Sequence, residues 1–170
     1  GYEGLLESQG LLTDTATGCV ISALSDTIAQ GTERIQAGDR TSAPSTELDT
    51  DRVLRYAAFG SIDGFAGHGW FELLDAAMPT SDSWTRDTLL KVLADSTVYT
   101  PCWCLAFLLA MALMEGRGAA GAAGDVKRDF WELLRGNYGI TLPFVALIYG
   151  CVPLRFQVAG FALLTLAYTS

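Results

Sequence analysis

The chain has 170 residues, half of them hydrophobic and only 18% charged, with a mean hydropathy of +0.28. That is enough length for one domain, and the composition lies well to the apolar side of a water-soluble one. With 11 Lys and Arg against 19 Asp and Glu the net charge is −8, so there is no surplus of cations to neutralise phosphates and nucleic acid is not an expected partner. The implied solvent is a lipid bilayer. The expected fold class is all-α: an integral membrane bundle of four transmembrane helices in a single domain over residues 1–170, with a short interfacial helix before the last span.

The first predicted span, residues 11–30, is apolar but carries Asp14 and Asp26. Along it Gly18, Ser22, Asp26 and Gln30 recur every four residues, a narrow stripe that is small at one end and polar at the other. Such a stripe is an approach surface for a second helix. "GTERIQAGDRTSAPSTELDTD", Gly31 to Asp51, has loop chemistry throughout.

The second span, residues 53–74, holds Arg55, Asp63 and Glu72. Each charge costs about 2.5–3.5 kcal/mol at a bilayer centre and survives by facing a protein interior or a cavity. Its Gly60-x-x-x-Gly64 is the small-xxx-small pattern that lets two backbones approach, and it answers the stripe on the first helix. Beyond it lies His68, the one histidine of the chain. We read it as a structural imidazole bonding to a neighbouring helix, with a pigment ligand as the alternative. "AAMPTSDSWTRD", Ala76 to Asp87, is a short polar connection.

The third span, residues 89–114, contains "STVYTPCWCLAFLLAMALM", Ser96 to Met114, with no charge over 19 residues. That nearly crosses a hydrocarbon core of about 30 Å, and Pro101 is expected to kink it. "EGRGAAGAAGD", Glu115 to Asp125, reads as a flexible linker. Residues 126–136 follow as an amphipathic interfacial helix, with Phe130, Leu133 and Leu134 on one side and Trp131 and Tyr138 suited to the headgroup level. The last span, residues 140–169, is expected to be one long rod kinked at Pro153 and Arg155. Both termini would then share one side, and Lys and Arg in the first and third loops would mark the more positive side.

Cys19, Cys102, Cys104 and Cys151 lie in apolar runs without a C-x-x-C pair and read as buried reduced thiols rather than metal ligands. No nucleophile–base pair, phosphate loop or metal cluster is present, so neither catalysis nor a metal is expected. The chain starts at Gly1, which fits removal of a transit peptide and equally a segment preceding the sequence. Asp26, Gln30, Asp63, Lys91, Asp95 and Arg155 are expected to form an intramembrane polar cluster. In it Asp26, Asp63 and Asp95 would face inward from three helices, with Arg55, Lys91 and Arg155 as partners. Structural pairing and a solute path both account for such a cluster.

These landmarks resemble the Mpv-seventeen family, also called the family of the peroxisomal membrane protein of twenty-two kilodaltons, from Tyr2 to Ser170. Tyr2, Leu6 and "GCVISALSDTIAQ" are similar to its opening helix, and Asp49 to Arg52, or Asp51 to Arg55, to its Asp-x-x-Arg entry to the second. "GFAGHGWF" resembles its Gly-Pro-x-x-His-x-Trp-Tyr signature, with Gly64, His68 and Trp70 in place and Phe65 and Phe71 substituting. Leu74, Asp75, Pro79, Lys91, Asp95 and Pro101 match further positions, with Ser96 where the family has Gln. "CVPLRF" and "AYTS" match the closing ones. The departures are "LPFVALIYG", which lacks two polar amides of the family, and Thr165 in place of a tryptophan.

The resemblance implies a small four-helix protein of an organellar membrane (mitochondrial inner membrane, chloroplast thylakoid or peroxisomal). Some members are thought to act as non-selective channels or permeability regulators, with Asp26, Asp63 and Asp95 then near a solute or ion path and no cofactor. The alternative is a structural accessory subunit of a large respiratory or photosynthetic membrane complex, which the missing amides and the Ala/Gly-rich linker favour. Such a subunit could hold bound lipid, chlorophyll or carotenoid. "MEGRGAA" is faintly similar to light-harvesting proteins, although their pigment-binding spacing is absent.

Overall fold

The computed structural model describes residues 2–38, 48–79 and 84–169, so the centres of the first two predicted loops and Ser170 lie outside the described residues. The described residues are helical apart from short connections. They form α1 (Tyr2–Gly38), α2 (Thr50–Ala77), α3 (Trp84–Ala94), a π-helical turn (Asp95–Tyr99), α4 (Thr100–Met114), α5 (Gly118–Cys151) and α6 (Leu154–Thr169).

Burial is inverted relative to a water-soluble protein. Leu12, Val20, Leu54, Phe65, Leu73 and Leu147 are each more than half exposed, while Asp14, Asp26, Gln30, Lys91, Asp95 and Gln157 are buried. An apolar skin over a polar interior is what a lipid solvent selects, because the bilayer core offers polar groups no hydrogen bonds. Among the described residues one helical stretch, the 29-residue Arg86–Met114, is long and apolar enough by composition to cross a membrane. It rises about 43 Å. The other predicted spans are helical too: the first two carry charged residues within them, and the last is divided between the end of α5 and the 16-residue α6.

α1 and α2 run antiparallel and nearly in backbone contact. A Cβ added at Gly18 would run into the Gly60 carbonyl, one at Gly60 into Ser22 and the Gly18 carbonyl, and one at Gly64 into the Asp14 carbonyl. α1 is longer than expected, kinking at Gln9 (φ −147°, ψ 51°) and running to Gly38, so the first eight residues of the predicted first loop are its last turns. Asp49 caps α2 by accepting from the Arg52 N–H at 2.9 Å, and the Met78 N–H closes its far end on the Leu74 carbonyl at 2.8 Å.

The third span is one rod through α3, the π turn and α4. In the turn the Thr100 N–H reaches back five residues to the Asp95 carbonyl. Pro101 has no N–H to offer, and the Ser96 carbonyl instead accepts from the Tyr138 hydroxyl of α5. The proline expected to kink the helix is absorbed by one wide turn.

Three expectations are overturned beyond Met114. The Gly/Ala segment is not a flexible linker. Gly116 (φ 75°) closes α4 with its own N–H on the Leu113 carbonyl and that of Arg117 on Ala112, both at 3.0 Å, and helix resumes at Gly118. This is a Schellman end, which needs a residue without a Cβ at the left-handed position, and the alanines after it are strong helix formers. The faint pigment-binding resemblance of "MEGRGAA" falls on this turn. Residues 126–136 are not a separate interfacial helix either, since they form the middle of α5, which packs back along α4 and α3. Tyr138 therefore turns inward to the π turn rather than to the headgroups.

The last span is not one rod. α5 stops at Cys151, Val152 is extended (φ −98°, ψ 124°), and α6 begins at Leu154. Tyr149 and Phe161, twelve residues apart, have ring centroids at 5.9 Å, where a continuous helix would separate them by about 18 Å. The chain folds back at Val152–Pro153, so α6 packs on α1 and α2. The expectation of four crossings with both termini on one side rested on that rod. The core beneath is apolar and aromatic: Phe71, Leu74, Val145, Tyr149 and Val158, flanked by Trp70 and Phe161.

The glycine seam makes the α1–α2 contact sensitive to a single side chain. Gly60→Val should force the two helices apart and lower stability in detergent by about 3 kcal/mol or more. Gly69→Ala, on the same helix but with nothing within 4 Å of an added Cβ, should leave the thermal midpoint unchanged or slightly raised. Equal midpoints for Gly60→Val and Gly69→Ala would show that the seam does not hold the helices together.

Candidate functional site

The stripe on α1 meets α2 in three tiers. At one end Asp14 Oδ2 lies 2.7 Å from His68 Nδ1, and His68 Nε2 lies 3.3 Å from Glu72. In the middle are the glycines. At the other end Asp26, fully buried, pairs with Arg52 Nε at 2.7 Å, and the Arg52 guanidinium places its remaining two nitrogens on the two oxygens of exposed Glu33, each at 3.0 Å. Gln30 donates to Asp26 at 2.8 Å and exchanges bonds with the Asp49 backbone at 2.9 and 3.1 Å, fastening the start of α2 to α1. The Arg52 fork holds the Glu33 carboxyl below its ordinary range.

A second group sits where α2, the π turn and α5 converge. Asp95 is buried and accepts from Tyr149 at 2.8 Å, Trp70 Nε1 at 3.2 Å and Thr100 at 3.3 Å. Asp63 accepts from Tyr99 at 3.0 Å, and the Tyr99 ring stacks on Trp70 at 5.3 Å. Two carboxylates are thus linked through stacked aromatics. Among the described residues, the hydrogen bonds that reach them come from neutral hydroxyls and an indole.

The third group opens to a cavity of about 320 Å³ at the Pro153 corner, lined in part by Asp75, Asp87, Lys91, Tyr149, Cys151 and Gln157. Lys91 is buried and donates to Asp75 at 2.8 Å. Gln157 donates to the Val152 carbonyl at 3.2 Å, satisfying a group the corner leaves without a helical partner.

The predicted cluster is therefore three separate sites. Asp26 and Gln30 lie at the α1–α2 end, Asp63 and Asp95 in the centre and Lys91 at the cavity. The proposed cations are not the partners. Arg52 serves Asp26, and Lys91 serves Asp75. The Arg155 guanidinium lies 5.1 Å from the Phe156 ring centroid, and among the described residues Arg55 pairs with none of the three acids. Gly18, Ser22, Gly60 and Gly64 meet at the seam, and His68 bridges α1 and α2. Of the four cysteines read as buried, Cys104 is buried and Cys19 half-buried, whereas Cys102 and Cys151 lie on the surface. For Cys102 a thiol is apolar enough for an outward helix face in lipid, whereas Cys151 borders the cavity at the Pro153 corner.

Asp14, Tyr99, Tyr149 and Trp70 escaped the sequence reading as site residues. One more four-residue step back along the α1 stripe reaches Asp14, so its signal was present. Tyr99 and Tyr149 read as ordinary apolar positions, and Trp70 as a family landmark without a bonding role, until the carboxylates beside them are seen.

A helical bundle with an apolar skin and buried charge tiers is an integral membrane protein in contact with lipid. Residues 112–170 match the family model described as Mpv17 / PMP22 family. The chain is 30% identical to Peroxisomal membrane protein 2 of Bos taurus over 158 residues, covering 92% of this chain and 78% of the relative. It is 28% identical to Protein sym-1 of Neurospora crassa, covering 92% and 86%, and 26% identical to PXMP2/4 family protein 4 of Dictyostelium discoideum, covering 85% and 74%. No solved structure matches it. The chain belongs to the Mpv17 / PMP22 family.

Removing Arg52 would strand a fully buried carboxylate. Arg52→Ala should destabilise the detergent-solubilised protein by about 3–5 kcal/mol, and Arg52→Ala with Asp26→Asn should recover much of that. The depressed Glu33 adds a pH dependence. Its contribution is present above its ordinary pKa of 4.5 and is lost as pH falls through the lower folded value. Thermal midpoints taken from pH 7 to pH 3 should therefore fall less steeply for Glu33→Gln than for the unaltered chain. Parallel curves would exclude the Arg52–Glu33 fork as a source of acid sensitivity.

Proposed function

We propose that the protein conducts small solutes or ions across an organellar membrane, through the polar interior where α2, the π turn and α5 meet. An organellar membrane accords with a peroxisomal membrane protein among its relatives. The observation that carries the conduction reading is the pair Asp63 and Asp95. Both are held by neutral donors, while Arg52, His68 and Lys91 are engaged with Asp26, Asp14 and Asp75. In a purely structural bundle, buried carboxylates are expected to carry a cationic partner, because lone charge in lipid is costly. Carboxylates served by hydroxyls, one of which belongs to a tyrosine that lines the cavity at the Pro153 corner, suit a water- or ion-bearing path, and the π turn that presents Asp95 is the kind of helix irregularity found at functional positions.

Purified protein in planar bilayers should carry current, and Asp95→Asn and Asp63→Asn should each lower it by about tenfold. Silence of the unaltered protein, or currents indifferent to both substitutions, would sink the reading. Gentle detergent extraction provides a second check. The chain should migrate near its own mass or a small multiple of it, whereas co-migration with a large assembly would favour an accessory subunit instead.

A further inference from the structure

We infer that the outward face of the first half of α5 holds the phosphate of an anionic phospholipid, drawn below the headgroup plane between Lys127 and Arg135. The surface lies on the outside of the bundle and needs no solute path within it. Lys127, Trp131 and Arg135 recur every four residues along α5 and are all exposed, Trp131 to 64%. Their neighbour Arg128 is already committed. It bonds Asp125 at 3.0 Å and Asp129 at 2.7 Å, and Arg117 shares Asp125 at 2.8 Å. Among the described residues, Lys127, Arg135 and the exposed Glu132 form no ion pair.

The stripe lies deep. α5 starts just past the Gly116 turn and packs back along α4, and its Tyr138 bonds the Ser96 carbonyl. Lys127 to Arg135 therefore stand beside the uncharged run Ser96–Met114, whose own exposed residues include the neutral Cys102, Leu105 and Ala106. A cation facing hydrocarbon is costly, and the cost is relieved when the side chain snorkels or the bilayer thins and brings headgroups and water to it. The two cations are eight residues apart, about 12 Å along the axis, so both long side chains reach a group placed midway, over Trp131. That indole suits the headgroup level and has an N–H to donate, and an edge contact with Phe130 at 5.3 Å holds its ring. Further along, α5 exposes Leu142, Phe144 and Leu147, an apolar track for the acyl chains. With two unpaired cations beside one unpaired acid, Glu132, the face favours a phosphate without a cation of its own over a zwitterionic headgroup.

Native mass spectrometry of the full chain, released from detergent supplemented with dioleoylphosphatidylglycerol or dioleoylphosphatidylcholine, tests the site. The phosphatidylglycerol should be the more tightly held. Lys127→Gln and Arg135→Gln should each weaken it about fivefold, and the two together about twenty-fivefold, with helical circular dichroism unchanged because both side chains are exposed. Arg86→Gln, an exposed cation on α3, should leave the affinity as it was. Equal affinity for the two lipids, or a double variant that binds like the unaltered chain, would overturn the inference. A second copy seated on this face would appear instead as a doubled mass that the double variant abolishes, and that too would overturn it.

The depth of the headgroup is read separately. With the four native cysteines replaced by alanine, Gly124→Cys accepts a nitroxide at an exposed position where an added Cβ meets nothing within 4 Å. In phosphatidylglycerol vesicles an aqueous nickel chelate should reach this label, because headgroups and water follow the stripe inward. Adding Lys127→Gln with Arg135→Gln should remove most of that access and raise access to oxygen. Nickel access that is absent from the start, or unchanged by the two substitutions, would overturn the drawing-in of the headgroup. These readouts need no current, so vesicles that conduct nothing would count against conduction alone.

Discussion

The rest of the fold depends on how closely α1 and α2 approach. In lipid no hydrophobic force draws two helices together, so association must come from close packing and from polar contacts that are worth more than their separate solvation. Gly18, Gly60 and Gly64 remove the side chains that would hold the backbones apart, and Ser22 adds a small neighbour. With the helices in contact, the residues one turn beyond the seam are within ion-pair distance, and Asp14 and Asp26 find His68 and Arg52. The seam comes first in this logic, because neither acid could reach its partner across a seam widened by ordinary side chains.

Once α1 and α2 are fastened, the other helices pack around an apolar, aromatic core into which buried carboxylates are set. α5 lies along α3 and α4 because a three-residue turn around left-handed Gly116, followed by left-handed Gly118 at the start of α5, reverses the chain at once. Tyr138 then satisfies the carbonyl that Pro101 cannot serve. The same wide turn delivers Asp95 toward Trp70 and Tyr149. A helix defect, a carboxylate and two aromatic donors are thus a single construction, in which the irregular backbone is covered by a neighbour as bilayers require. The fold-back at Pro153 completes it by bringing α6 across α1 and α2 and leaving a polar recess at the corner.

Much of this was legible in sequence. The four-residue spacing of Gly18, Ser22, Asp26 and Gln30, facing Gly60 and Gly64, announced the seam, and an uncharged run to Met114 announced the greasiest helix. The family resemblance rested on scattered landmarks whose clustering becomes clear only in the fold: Asp49 and Arg52 cap and clamp α2, while His68, Trp70, Asp75, Lys91 and Asp95 are all partners in the polar tiers. The Gly/Ala segment misled because composition alone does not separate a linker from a helix begun by a glycine turn. Pro153 misled because a kink and a reversal carry the same residue.

What the sequence by itself determined is the solvent and the periodic faces: apolar composition demands lipid, and spacing along one helix is local, set by 3.6 residues per turn. Only the tertiary structure decided which acid meets which donor. Asp14 with His68 and Asp95 with Tyr149 are each separated by 54 positions in the chain. No periodicity within one element encodes a distance across two, and several cations of equal chemistry were available to every carboxylate. The choice among them fell to the depth at which the helices pack and the angle at which the chain turns back.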